Sequence, residues 1–288
     1  MGVKKMQITT NNLTSNRRKH FIIFLLLGML IFIPPIYMNG ITQTIYKISL
    51  PVFILLLYIV THKTEGMEKY SRVFYAFFIA SSVSFFDYFL YLNQSSLYWF
   101  STSRMELLVF FKIISTIIVV IPIIILTRAS GQDLSTLYLK RGKLRLSLVI
   151  GLFTFFFLVA SSIPLANLLY GGRGLDYKNL ILWGPWILTF VFSNAFKEEV
   201  QFRGLFLKRL EPHLGANVSN FLQALIFTLP HFGEVYSTAF PLFIIIVFFL
   251  GLGFGVSMQK TDSILASVLF HAGADFPVIL GIFSNILS

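Results

Sequence analysis

The chain has 288 residues, 56% of them hydrophobic, 17% aromatic and only 12% charged, and its mean hydropathy is +0.78. A soluble domain carries about 25% charged residues, so this balance excludes a soluble enzyme or a disordered chain, and the lack of cysteine excludes a secreted disulfide scaffold. The formal charge of +11 sits in loops beside apolar stretches, where it is a membrane-topology signal and not a nucleic-acid footprint.

A membrane helix needs ~20 mostly apolar residues. In chain order the apolar stretches are 21–39, 45–61, 73–92, 105–127, 146–170, 180–205, 217–231, 238–258 and 263–285. They predict an all-α polytopic membrane bundle of about eight to nine transmembrane helices. The first stretch is long and lacks a small-residue cleavage site, so it reads as a span and not as a signal peptide. Pro34 and Pro35 predict a kink in it.

Lysine and arginine set the orientation. The N-terminal tail holds Lys4, Lys5, Arg17, Arg18 and Lys19, and alternate loops hold Lys63 to Arg72, Arg128 to Arg145, Lys208 with Arg209, and Lys260. The intervening loops hold only Arg104, Arg173 with Lys178, and Glu234. This alternation predicts a cytoplasmic N-terminus in a multi-pass cell-membrane protein. The basic connector Asp133–Arg145 mixes Leu and Tyr with Lys and Arg, as an interfacial segment does. It divides the chain into an accessory region of about four spans, 1–140, and a core, 141–288. In the accessory region Asp87 and Lys112 read as snorkelling or locally paired residues. His20, His62 and His213 read as solvated.

The core carries ionisable groups inside its spans, which are costly there and mark function by default. Glu198, Glu199 and Arg203 share one stretch; His231 ends another; His271 and Asp275 lie inside the last. Helix rise puts Glu198 ~18 Å from the end of its helix, His231 ~21 Å into the next, and His271 and Asp275 ~12 and ~18 Å into the last. Acid and imidazole groups from three helices therefore meet in one layer. Glu199 and Arg203 share a face at i,i+4, as do His271 and Asp275, while Glu198 is turned about 100° from Glu199. Gly204, Gly251, Gly253 and Gly255 suit close helix approach.

Peptide hydrolysis in a membrane needs a water, a base and a donor for the developing oxyanion, and these groups supply all three. A divalent metal such as zinc at Glu198, His231 and His271 is the alternative.

Three segments resemble one family. Glu198-Glu199-Val200-Gln201-Phe202-Arg203 matches an EExxxR motif, Phe227 to His231 an FxxxH motif, and His271 to Asp275 an HxxxN/D motif. In this order they resemble the CPBP family of intramembrane proteases, which includes type II CAAX prenyl endopeptidases and bacterial bacteriocin-processing and immunity proteins. The resemblance implies Glu198 as the base that activates water and Glu199 with Arg203 as a supporting pair. It implies that His231 holds the water and that His271 and Asp275 stabilise the oxyanion. Asp275 stands where many members have Asn, and a carboxylate cannot donate as an amide does.

The reading is thus an endopeptidase without a cofactor, opening to the cytoplasm and acting on a peptide or membrane-protein substrate in the lipid bilayer. A non-catalytic immunity factor or sensor-kinase scaffold with a protease-like core is the alternative. A transporter ranks below both, because no inverted repeat is visible.

Overall fold

The computed structural model describes residues 2–93, 104–172, 174–233 and 237–287, with side chains described between 16 and 286 of these. Arg173 and Glu234, two of the charges used for orientation, lie outside the described residues, as do the side chains of Lys4 and Lys5. Among the described residues every regular element is helical.

The N-terminal half holds α1 (Gly2–Phe32), α2 (Pro34–Tyr37), α3 (Gly40–Lys63), α4 (Glu68–Leu92) and α5 (Arg104–Ala129). The helix is interrupted at Ile33, before the proline pair, and resumes at once as α2, so the prolines bend the first span and do not end it. A connector with a 3-10 turn at Leu134–Leu137 leads to α6 (Leu144–Ala160) and α7 (Ser162–Tyr170), a single apolar stretch bent by 63°. Then come α8 (Tyr177–Leu182), α9 (Gly184–Glu198), a π-helical turn at Glu199–Gly204, and α10 (Leu205–Leu214). The chain closes with α11 (Ala216–Thr228), a 3-10 turn at Leu229–Gly233, α12 (Phe240–Thr261) and α13 (Leu265–Leu287).

Burial follows membrane logic. Large apolar side chains point outward: Phe153 is 72% exposed on α6, and Ile41, Val52 and Leu56 are exposed on α3. In water such a surface is an aggregation hazard; against lipid it is the expected exterior. Polar and charged side chains of α9, the π-helical turn and α13 are packed inside.

Six helices are long and apolar enough to cross a membrane, or seven with the bent α6–α7 pair, fewer than the eight to nine expected. The two discrepant stretches fail for different reasons. Residues 180–205 are divided among the end of α8, the 15-residue α9 and the π-helical turn, and they carry Lys197, Glu198, Glu199 and Arg203. The stretch 217–231 is a 13-residue helix, about 20 Å long, followed by a 3-10 turn. It runs alongside the first span. His213, just before it, packs on His20 near one end of the first span, and Gly233 lies against Ile36 at the other. A short helix ending inside the protein is tolerated because other helices surround its end.

The connector is tied to the core. Lys140 and Lys208 both pair with Asp262, at the turn between α12 and α13. Backbone bonds Lys143 N–H to Thr261 C=O (2.8 Å) and Ile264 N–H to Tyr138 C=O (3.0 Å) fasten it further. Gly142, at φ +50°, lies where any side chain would collide with the Thr261 and Asp262 carbonyls. His20 and His213 are not solvated as expected. His20 hydrogen-bonds the Tyr70 hydroxyl (2.9 Å), and His213 stacks on the Tyr70 ring.

Candidate active site

The π-helical turn builds the site. Inserting a wider turn between α9 and α10 brings Glu199 and Arg203 together on its buried side, and π-turns of this kind recur at functional sites. At its exit into α10 the Arg209 guanidinium donates to Gly204 C=O (3.2 Å) and Leu205 C=O (2.9 Å). Gly204 allows the connector to sit on this turn, since a β-carbon there lies 3.3 Å from the Leu137 carbonyl oxygen. Gly255 does the same between α11 and α12; a methyl there overlaps the Asn220 side-chain oxygen, and the Asn220 amide donates to Leu252 C=O (3.0 Å).

Glu199 and Glu198 have separate environments. Glu199 is wholly buried, and both its oxygens are occupied. Oε1 accepts from Arg203 Nη1 (2.8 Å) and from His271 Nδ1 (2.7 Å), and Oε2 accepts from the Ser267 hydroxyl. Arg203 is also wholly buried, its guanidinium carbon 3.9 Å from the Phe227 ring centre, a cation–π contact in a dry setting. Glu198 keeps 18% of its side chain exposed and faces the open space of the site.

His271 links the layers. With Nδ1 donating to Glu199, its Nε2 lies 3.6 Å from both Glu198 Oε2 and Asp275 Oδ1. The ring is stacked on Phe254, with centroids 4.5 Å apart, which fixes its plane. His231 Nδ1 donates to Phe227 C=O (2.9 Å), a contact that leaves Nε2 as the ring's acceptor nitrogen. Asp275 Oδ2 accepts from the Asn194 amide (2.9 Å), and the Asn194 oxygen accepts from Lys112 Nζ (2.8 Å).

All six expected residues therefore fall in one neighbourhood, and the structure adds others that the sequence did not mark. Asn194 and Ser267 are new members; each lies one helical turn before an expected residue, Glu198 and His271. Helical spacing was the available signal for both. Lys112 and Asp87 are locally paired, as one expected reading had it, but both also line the site's cavity. Asp87 accepts from the Ser115 hydroxyl (2.5 Å) and pairs with Lys197 (3.5 Å).

Glu198 and His231 stand on the walls of two cavities. The larger, about 410 Å³, lies between the core and α1 to α5; its wall includes Pro35, Gln43, Lys47, Asp87 and Tyr91. The smaller, about 190 Å³, is lined mainly by apolar residues of α9, α12 and α13, including Phe190, Phe243, Leu250 and Val278, together with His271 and Asp275. Both reach toward the helix ends remote from the basic tail and connector. On the connector side of Glu198, Val200, Leu205, Leu207, Leu210 and Leu137 are packed solid. With the basic side in the cytoplasm, as charge alternation predicts, that differs from the expected cytoplasmic opening, because the connector turn fills the space an opening on that side needs.

Among the described residues no group of three or more His, Asp or Glu side chains is arranged to hold a metal ion, and both His271 nitrogens face carboxylates already.

Residues 180–277 match the family model described as type II CAAX prenyl endopeptidase Rce1-like. No curated protein and no solved structure matches the chain. Glu198, Glu199, Arg203, His231, His271 and Asp275 all lie within the matched segment, as does Asn194, whereas Lys47, Asp87 and Lys112 lie outside it. The chain is a multi-pass membrane protein whose segment 180–277 is similar to the Rce1-like type II CAAX prenyl endopeptidases, a family of membrane proteases.

Proposed function

We propose that this endopeptidase hydrolyses peptide bonds with a water activated by Glu198 and without a metal. The observation that carries the assignment is the contrast between the adjacent carboxylates: Glu199 is sealed, with both oxygens engaged, while Glu198 faces both cavities. A base must reach the proton it takes.

The steps follow from the donors present. Water sits between the Glu198 carboxylate and the acceptor nitrogen of His231. Glu198 takes its proton as the oxygen attacks the scissile carbonyl carbon, and the C=O electron pair moves onto the oxygen. Protonated Glu198 then delivers that proton to the departing amine nitrogen as the C–N bond breaks. The oxyanion needs hydrogen-bond donors. His271 Nε2, when protonated, is one. Asp275 as a carboxylate is not one, and it instead orients His271 and Asn194. The Asn194 amide supplies the second donor, held in position by Lys112 and Asp275.

Glu199, Arg203 and Ser267 position the imidazole and do not touch the substrate. Residues 1–140 act as an accessory region that supplies the far wall of the larger cavity, and 141–288 as the protease core. With the basic tail in the cytoplasm, the substrate, a peptide or membrane protein, enters from the non-cytoplasmic side.

The test is peptide cleavage by purified protein in lipid. Glu198→Gln should lower kcat by roughly 10² to 10⁴, and exhaustive treatment of the wild type with phenanthroline should leave cleavage unchanged. Loss of cleavage on chelation, restored by added zinc, contradicts the metal-free mechanism.

A further inference from the structure

Arg209, on α10 and outside both cavities, is 5% exposed, yet no carboxylate among the described residues pairs with it. Its guanidinium donates through Nε to the Gln132 side-chain oxygen (3.2 Å) and through Nη1 to the Gly204 and Leu205 carbonyls, all neutral acceptors. Nη2 is sealed from solvent and donates to no protein group. The nearest charge is of the same sign: burial, and after it Arg72 on α4, lower the Arg209 pKa from its ordinary value to about 10. Arg72 is exposed, and among the described residues it makes no ion pair.

A second orphaned group lies alongside. The Thr127 hydroxyl, wholly buried near the end of α5, also lacks a hydrogen-bond partner. Two bonds place it beside the arginine. Gln132, which accepts from Arg209, donates its own N–H to the Thr127 carbonyl (3.2 Å). The Tyr75 hydroxyl, three residues past Arg72, donates to the adjoining Leu126 carbonyl (2.9 Å). Helices α4, α5 and α10 thus converge with the connector, and what they bring together is donors. Buried donors without partners are costly, more so when charged, and two in one place call for a shared acceptor.

A tetrahedral phosphate suits that demand better than a carboxylate, because its oxygens point in several directions and can meet donors from three helices, and arginine is the residue suited to it. The depth also fits. Arg72 stands about 6 Å from the start of α4 and Thr127 about 3 Å from the end of α5, level with lipid headgroups at the basic end of the bundle.

We propose that Arg72, Arg209 and the Thr127 hydroxyl form a phosphate-binding site at the basic end of the bundle, filled by an anionic phospholipid headgroup or by free phosphate. Arg209, anchored through Nε and Nη1, presents Nη2, and the exposed Arg72 closes over the ligand. Since Arg209 is bonded to Gly204 and Leu205, an occupant ties α4 and α5 to the π-helical turn that carries Glu199 and Arg203. The site is independent of the peptidase reading.

The test is thermal unfolding of the full-length protein in nanodiscs. Three conditions are compared: phosphatidylcholine alone, phosphatidylcholine mixed with phosphatidylglycerol, and phosphatidylcholine with inorganic phosphate, at ionic strength matched with chloride. Ligand at about a hundred times its dissociation constant should raise the midpoint by roughly 5 °C. Arg72→Gln, at an exposed position, should leave the midpoint in plain phosphatidylcholine unchanged and abolish the rise. Thr127→Val, which keeps the shape and loses the hydroxyl, should demand about tenfold more ligand for the same rise. Lys260→Gln removes an exposed cation elsewhere on the basic side and should keep the rise, which separates the site from the general pull of a basic face on anionic lipid. A rise with phosphatidylglycerol alone identifies the headgroup as the ligand, and a rise with inorganic phosphate shows that free phosphate suffices. No rise with either, or an equal rise in Arg72→Gln, overturns the proposal.

Discussion

Two adjacent glutamates end up in opposite conditions, and the difference comes from what each faces. Glu199 meets Arg203, His271 and Ser267 in a dry interior, where a carboxylate persists only when its oxygens are satisfied. Glu198, one residue earlier, meets open volume. That they face different ways was legible in the sequence because a 100° step on a helix separates two faces. The oxyanion side was legible only in part. Asp275 stands where many members of the resembled family have Asn, and the amide that bonds it, which the proposed mechanism uses as a donor, is Asn194 from a different helix 81 residues away. No local pattern encodes that contact. Asn194→Ala should therefore lower kcat about a hundredfold with little change in KM. Exchanging the pair, Asn194→Asp with Asp275→Asn, should recover part of that loss. A kcat unaffected by Asn194→Ala, measured at saturating peptide, contradicts the donor role.

At the scale of elements, hydropathy located the apolar helices well but misjudged two segments on which the site depends. Helix α11 is too short to span alone, and the α9–α10 stretch breaks into a π-turn; a 3.6-residue periodicity reports neither event. The connector was legible as basic and interfacial, but its attachment to Asp262 was not, since that contact joins residues more than a hundred positions apart. Burial raises the Asp262 carboxyl's pKa, but hydrogen bonds from Lys140 and Lys208 outweigh it and hold the group below its ordinary value. A depressed carboxylate stabilises the fold above its unfolded pKa, ordinarily about 3.9, and that contribution disappears as pH falls through the lower folded value. Asp262→Asn should thus cost less than about 1 kcal/mol near neutral pH, because the pairs are partly exposed. The loss should shrink in high salt and vanish below the folded pKa. Asn tolerates the left-handed backbone at φ +51°, so the substitution isolates charge from strain. Thermal unfolding of both proteins across pH and salt checks this, and a salt-independent loss contradicts it.

At the scale of the molecule, the core and the N-terminal helices enclose the larger cavity together, and both cavities face away from the basic side. Charge alternation in the sequence gave an orientation, but it held no information on which end of the bundle is packed shut. The chain contains no cysteine, so single replacements report access cleanly. A cysteine at Gln43 or Tyr91, on the wall of the larger cavity, should react with a membrane-impermeant maleimide added outside intact cells. A cysteine at Lys140, on the connector, should react only in inverted vesicles. The reverse pattern restores a cytoplasmic entrance.

The central claim, that this membrane core cleaves peptides through Glu198, is tested most directly by comparing membrane peptidomes. Cells carry wild type, Glu198→Gln or His231→Ala, each at matched protein level. The account predicts cleavage products present with wild type and missing from both variants. Peptidomes indistinguishable among the three, with the cellular phenotype of the wild type retained, contradict it and favour a non-catalytic immunity or scaffold role.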